Sequence, residues 1–340
     1  MLIPAILKAA ETWPIPDAIL RSGSDAFVWG TDWAMRRVDD GHLDRFIAEM
    51  ADHPIAVDAH AANDQHYELP PEFFALMLGA HRKYSCGYYA NPGASLDDAE
   101  HAALEQSAQI ADITDGQSIL ELGCGWGSFS LYLAGRFPNA SITAMSNSTS
   151  QAAYIRAKAE RRGLTNLTVL TEDINGFAPK ARFDRIVSIE MFEHLSNWTA
   201  MFNRMQPWLA PDGRIYMHVF SHRSAPYRFD HSDPNDWIAH HFFTGGIMPS
   251  HDLLGRLKTP FEIEHSVRWP GTHYAQTARA WFANYDANQD QIAAVLAPVY
   301  GDALTVWLRR WRLFLFATER LFGYRNGSVW GISHYRLRAR

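Results

Sequence analysis

Glu190, Glu193 and His194 crowd into one short segment, IEMFEHLSNW at residues 189–198. If that segment leaves a strand and opens a helix, Glu190 and His194 share a face at i and i+4. Carboxyl groups beside Met191 and Phe192 lose water and repel each other, which raises a carboxyl pKa toward that of a usable base. Such a set can hold a cation and accept a proton from it. A plainer reading is that charges in a first helical turn offset the helix dipole and stay solvated. A metal centre is not expected, because the chain has no HExxH or comparable second ligand pair.

A second constellation is SILELGCGWGS, residues 118–128. A short apolar run ends at Glu121 and Leu122. Gly123, Gly125 and Gly127 then make a tight turn into GSFSLYLAGRF, which has helical period. Glycines belong where a Cβ would block a ligand from the backbone. The spacing is G-x-G-x-G, whereas the dinucleotide fingerprint places its third glycine one position later and an acid about 20 residues on. Here the next strand ends at Ser146-Asn147-Ser148, with no acid. Glu121, just before the first glycine, suits the ammonium of S-adenosylmethionine instead. Gln151 could reach the ribose and Asp173 the adenine amino group. Methyl transfer from a sulfonium to an amine then needs a proton acceptor, and Glu190, Glu193 and His194 supply candidates.

The elements that must position these groups follow from the texture of the chain. SILEL, SITAMS, LTVLTED, FDRIVSIEM and RIYMHVFS read as strands that alternate with helices, which indicates a parallel sheet covered on both faces. EIEHSVRW and the stretch near SVWGISHYRL add two more, giving a seven-stranded α/β sheet of Rossmann-like type. Residues 1–95 read as a helical N-terminal region. DWAMRRVDDGHLDRFIAEM reads as one amphipathic helix, PPEFFALMLG as a helix opened by prolines, and Ser95 with Asp98 as a capping box. The main domain then spans 96–340. Its irregular segment 222–250 reads as a lid, and 273–322 as a helical insertion.

Composition narrows the partners. A net charge of −6 argues against nucleic acid. Cys86 and Cys124 are too few for a disulfide framework and fit the cytoplasm. The N-terminus lacks a signal-peptide pattern, and no apolar run looks long enough to span a membrane. No stable membrane association is expected. Arg309, Arg310, Arg312, Arg320, Arg325, Arg336, Arg338 and Arg340 make the C-terminal part basic. They could form a membrane-surface patch or lie on the wet face of a core helix.

Five segments together resemble the cyclopropane fatty acid synthase/coclaurine N-methyltransferase family: HYELPPEFF (66–74), KYSCGYY (83–89), ELGCGWGSFSLYLA (121–134), SIEMFEH (188–194) and MHVF (217–220). The resemblance implies a class I S-adenosylmethionine-dependent methyltransferase, with Tyr84 and Ser85 at the methionine part of the cofactor. It implies that Gly123, Cys124, Gly125, Ser146, Asn147, Gln151, Asp173 and Ile174 hold the remainder. In the lipid-cyclopropanating branch a bicarbonate is held at positions matching Cys86, Glu193, His218 and Tyr274. In the amine branch the equivalents of Glu190, Glu193 and His194 bind and deprotonate the amine, with Tyr67 and Glu68 near the substrate. SIEMFEH, NDWIAHHFFTGGIMPS and LFGYRNG look more like the amine branch. The expected substrate is therefore an aromatic or benzylisoquinoline-like amine, with Trp237, Phe242, Phe243 and Trp330 as candidate aromatic walls. Methylation or cyclopropanation of an unsaturated acyl chain is the alternative. The N-terminal region is implied in homodimer contacts.

Overall fold

Each of the first strands carries apolar side chains on both faces, because helices cover both. In β1 (Ser118–Leu122), Ile119 joins Leu104, Phe129 and Leu133 on one side, while Leu120 and Leu122 join Phe192, Trp198 and Phe202 on the other. That alternation is the two-residue period of a strand. The computed structural model describes residues 2–57 and 69–340, with side chains from residue 7 onward. Tyr67 and Glu68 lie outside the described residues.

β1 sits centrally in a sheet with β2 (Ser141–Ser146), β3 (Leu167–Thr171), β4 (Phe183–Ile189), β5 (Leu209–His222), β8 (Phe261–Pro270) and β9 (Trp330–Ala339). The order is β3-β2-β1-β4-β5-β9-β8. The seven strands match the sequence expectation, but the sheet is not wholly parallel. β9 runs antiparallel to both β5 and β8. β8 and β9 therefore form a hairpin, with Pro270 opposite Gly331, and residues 271–329 are an excursion from its tip. This tip lies at the same end of the sheet as the C-termini of β1 and β4. The helical insertion consequently stands over the end where the glycine turn emerges.

The excursion contains three helices, Thr272–Ala287, Gln289–Tyr300 and Leu304–Gly323. One window of Gln289–Gly327 is long and apolar enough to resemble a membrane span, contrary to the sequence reading. It is broken at Gly301, and 11 % of that window is buried, whereas Trp311, Leu315 and Phe316 of the last helix are buried in the fold. The irregular segment 222–250 carries a two-stranded ribbon, β6 (Tyr227–Arg228) with β7 (Ile247–Met248), and a short helix, Trp237–His241.

The N-terminal region departs from expectation at one point. DWAMRRVDDGHLDRFIAEM is two helices, Asp17–Met35 and His42–Met50, separated by a turn ending at Gly41. Asp39 accepts from the Gly41 N–H at 3.0 Å and pairs with Arg45, so the local polar bonds compete with helix continuation. The capping box forms as expected, Ser95 and Asp98 bonding reciprocally. The arginines of the last long helix are neither free nor a cationic patch. Arg310 grips Glu11 with two bonds of 3.0 Å, Arg312 reaches Asp17 and Asp286, and Arg320 reaches Asp25. They dock the N-terminal helices onto Leu304–Gly323. Arg336 and Arg338 pair across strands with Glu264 and Glu262.

The neck of the excursion closes where the Gly271 N–H donates to the Gly327 carbonyl at 2.9 Å. Gly327 has φ 70, and a Cβ there would lie 2.4 Å from the Thr272 nitrogen. Backbone cannot yield as a flexible side chain can. Gly327→Ala is expected to cost about 2 kcal/mol or more and to lower the midpoint of thermal unfolding by roughly 4 °C. Gly93→Ala, which meets no atom within 4 Å, serves as the control and should leave the midpoint unchanged.

Candidate functional site

The glycine turn is built as the sequence requires. Gly123, Gly125 and Gly127 have φ of 70, 51 and 75, and the helix Ser128–Arg136 starts directly after them. The N–H groups of Gly123 and Cys124 both donate to the Met145 carbonyl, at 3.0 and 2.9 Å, which fastens the turn to β2. A Cβ at Gly123 would strike Met191 at 2.5 Å, whereas one at Gly125 would project into open space. That space is a cavity at the C-terminal ends of β1, β2 and β4.

Several expected residues line this cavity: Tyr84, Ser85, Glu121, Ser146, Asn147 and Gln151. Gly123, Cys124, Gly125 and Ile174 line it too. Glu121 is buried and accepts from the Ser130 hydroxyl. Burial pushes its carboxyl up to about 7, against that bond. Gln151 accepts from the Ser146 hydroxyl at 2.8 Å through Oε1, while its buried Nε2 has no hydrogen-bond partner among the described residues. A buried amide donor without a partner is costly unless a ligand acceptor completes it. Asp173 is not among the lining residues. The cavity wall there is Glu172 and Ile174, and Asp173 accepts from the Asn175 N–H at 2.8 Å. The open face above Gly125, the acid at Glu121 and the orphaned Gln151 donor fit a ligand carrying an ammonium and a hydroxylated sugar.

The acid cluster is arranged differently from the helical reading. Glu190 has φ 49, in the left-handed region, and only Phe192–His194 forms a short 3₁₀ turn. The α-helix starts later, at Trp198. The left-handed step swings Glu190 into a polar pocket. There Glu190 Oε1 accepts from the Cys86 N–H at 3.0 Å and lies 3.1 Å from His218 Nε2; Oε2 accepts from the Tyr274 hydroxyl at 2.8 Å. Its side chain is 6 % exposed. Burial raises its pKa, opposed by the Lys83 ammonium and by the bonds from Cys86 and Tyr274. Glu193 is fully buried behind the cavity wall, with Oε1 accepting from the Phe220 N–H at 2.6 Å. Burial and then the Glu190 charge push it well above the usual carboxylate range. His194 lines the cavity and stacks on Phe243 at 4.2 Å. Enclosure lowers its pKa to about 4, so the imidazole is neutral at pH 7.

Cys86, His218 and Tyr274 thus surround Glu190 and do not line the cavity. Phe242 and Trp330 are core: Phe242 stacks on Phe314 at 4.5 Å, and the Trp330 indole donates to the Tyr227 hydroxyl at 3.2 Å. Trp237 donates to Glu11 at 2.7 Å, linking the 222–250 segment to the first helix. Sequence reading missed Lys83, which is fully buried and donates to Ser85 Oγ at 2.6 Å and the Cys86 carbonyl at 2.7 Å. It also missed Arg82, Trp126 and Thr244 on the cavity wall. A charge pair RK directly before the YSC segment was the one available signal.

Comparison with known proteins agrees with this geometry. The family model described as mycolic acid cyclopropane synthetase matches residues 56–332. The (S)-coclaurine N-methyltransferase of Thalictrum flavum subsp. glaucum is 33 % identical over 286 residues, covering 82 % of this chain and 79 % of that protein. A crystal structure of coclaurine N-methyltransferase bound to N-methylheliamine and SAH superposes with a TM-score of 0.95 at 29 % identity, over 99 % of this chain and 100 % of that one. A cyclopropane synthase from Mycobacterium tuberculosis shares the fold, with a TM-score of 0.72 at 22 % identity over 85 % of this chain and 100 % of that one. The chain belongs to the mycolic acid cyclopropane synthetase family and is an S-adenosylmethionine-dependent methyltransferase.

Proposed function

We propose that the enzyme methylates the nitrogen of an aromatic or benzylisoquinoline-like amine, and that Glu190 and His194 carry the acceptor chemistry. The observation that supports this most is the position of the Glu190 carboxylate. It already takes the Cys86 N–H and the Tyr274 hydroxyl and abuts His218. These are three of the four groups, all but Glu193, expected to hold a bicarbonate in a cyclopropanating enzyme. A second anion among them would meet a carboxylate within hydrogen-bonding distance, which is strongly repulsive in a dry pocket. The relatives named above as coclaurine N-methyltransferases support an amine acceptor in the same sense.

Tyr84, Ser85, the glycine turn, Gln151 and Ile174 would hold the cofactor, with Glu121 toward its ammonium. Bound there, S-adenosylmethionine would supply an electrophilic methyl group on a sulfonium to an uncharged amine. Glu190 draws the cationic form of the amine in from water by charge. His194, neutral beside that carboxylate, accepts the amine's proton. Phe243, stacked on the ring at 4.2 Å, holds the imidazole in one orientation, so positioning contributes alongside proton transfer. Glu193 fixes β5 through the Phe220 N–H and lies outside the cavity lining. We place the enzyme in the cytoplasm without stable membrane association, and assign the N-terminal helices to homodimer contacts.

Labelled methyl transfer tests the reading directly. Amines of phenethylamine and benzylisoquinoline type should gain one methyl mass while vesicles of unsaturated phospholipid stay unlabelled. The rate should not change when bicarbonate is removed. Labelled acyl chains with untouched amines would sink the proposal.

His194→Ala should lower kcat by roughly 10²- to 10⁴-fold with cofactor affinity unchanged; full turnover across the pH range would remove His194 from the chemistry. Glu121 predicts a pH effect on binding itself. A ligand ammonium favours the ionised carboxylate of a group held at about 7. Calorimetric affinity for S-adenosylhomocysteine should therefore rise as pH passes upward through about 7 and then level off. Glu121→Gln should flatten that dependence.

A further inference from the structure

Arg82 sits directly before the Lys83–Cys86 segment, at φ 51, where a side chain other than glycine is strained. Its N–H donates to the Gly79 carbonyl at 2.9 Å. The guanidinium lies over the Tyr154 ring at 4.1 Å and reaches to within 5.9 Å of the Trp126 ring centre. Trp126, in the glycine turn, and Arg82 line the wall of the cofactor cavity with Tyr84, Ser85 and Gly125, whereas Tyr154 lines a neighbouring hollow that Arg82 also borders. Nη1 is buried without a hydrogen-bond partner, and no carboxylate among the described residues forms an ion pair with this side chain. The contrast with Arg310, Arg312 and Arg320, each gripped by a carboxylate, is plain. The half-buried guanidinium feels the Glu72 carboxylate but forms no ion pair with it, so an anion in the cavity would compensate it further. Enclosure accordingly pulls its pKa down.

We infer that Arg82 clamps the carboxylate of the cofactor's amino-acid moiety, pairing a cation on one wall with the Glu121 acid that faces the ammonium. The inference rests on the reading of this cavity as the S-adenosylmethionine site. A guanidinium presents a fork that matches a carboxylate with two parallel N–H bonds. The left-handed turn at Arg82 brings its guanidinium over Tyr154 and to within 5.9 Å of the Trp126 ring in the glycine turn. Tyr154 holds the plane of the fork by stacking. Arg82 thereby discriminates the amino-acid end of the ligand and leaves the nucleoside end to Gln151 and Ile174.

The test compares S-adenosylhomocysteine with its decarboxylated analogue, S-adenosyl-3-thiopropylamine, by titration calorimetry. The two differ in the carboxylate alone. Wild-type protein should bind the former roughly tenfold more tightly or better. Arg82→Met should weaken S-adenosylhomocysteine by that factor and leave the analogue within about twofold. Arg82→Gly, which relieves the backbone strain, should do the same with its thermal midpoint retained. Equal loss for both ligands, or unchanged affinity for S-adenosylhomocysteine, overturns the clamp. Equal wild-type affinities would overturn it while leaving the cofactor site intact. A wild-type protein that binds neither ligand would bring down the cofactor reading and the clamp together.

Discussion

A single carboxylate, Glu190, ties together parts of the chain that are far apart in sequence. Its two oxygens meet the Cys86 N–H, His218 and the Tyr274 hydroxyl, and its own N–H donates to the His218 carbonyl at 2.8 Å. The N-terminal segment, β4, β5 and the helical excursion therefore converge on one buried charge. Removing one partner of such a set would leave a charged group desolvated, which costs far more than the bond itself contributes. Lys83 lies on the far side of the same segment and grips the Cys86 carbonyl, so Cys86 is held from both its N–H and its C=O. The left-handed backbone at Glu190 is maintained by this enclosure.

The rest of the architecture keeps that point dry. The β8–β9 hairpin sends its helices over the C-terminal ends of the parallel strands, where Tyr274 can reach Glu190 and Thr277 can receive the Gly87 N–H at 3.0 Å. The N-terminal helices are then pinned across the excursion by Glu11, Asp17 and Asp25 facing Arg310, Arg312 and Arg320. Partly exposed pairs of this kind contribute little singly. Acting as a row, they fix which helix lies against which. Glu11 also takes the Trp237 indole, which ties the first helix to the 222–250 segment.

Dryness sets the charge states. Glu121 and Glu100 are both lifted to about 7 by burial, Glu193 is lifted well beyond the usual range, and His194 falls to about 4. The groups that face the cavity, Glu121, Glu190 and His194, are those that a zwitterionic cofactor and a cationic acceptor would retune on binding. Behind the wall, Glu193 takes the Phe220 N–H on Oε1, while its Oε2 has no hydrogen-bond partner among the described residues. Glu100 accepts three N–H bonds, from Gly79, His81 and Lys83, and shapes the turn that presents Arg82. A site of this kind recognises charge chiefly by what it has excluded.

The sequence by itself determined the seven strands, the glycine turn, the capping box and the cofactor class. Each is a local matter: apolar runs at strand length, glycines where φ is positive, and a hydroxyl three residues before an acid. The resemblance carried by SIEMFEH, NDWIAHHFFTGGIMPS and LFGYRNG added the branch of the family. Tertiary structure alone decided the direction of β9, since hairpin and crossover leave the same apolar run in the chain. It alone decided that Glu190 enters the site by a left-handed step and not on a helix face, that Glu193 lies behind the wall, and that Phe242 and Trp330 are core. The arginine-rich helix shows the same limit. Its composition is visible in the chain, but its carboxylate partners stand nearly 300 residues away at Glu11 and Asp17. Only the folded chain decides whether an arginine meets water, a membrane or an aspartate, because charge compensation depends on distance in space and not on position in sequence.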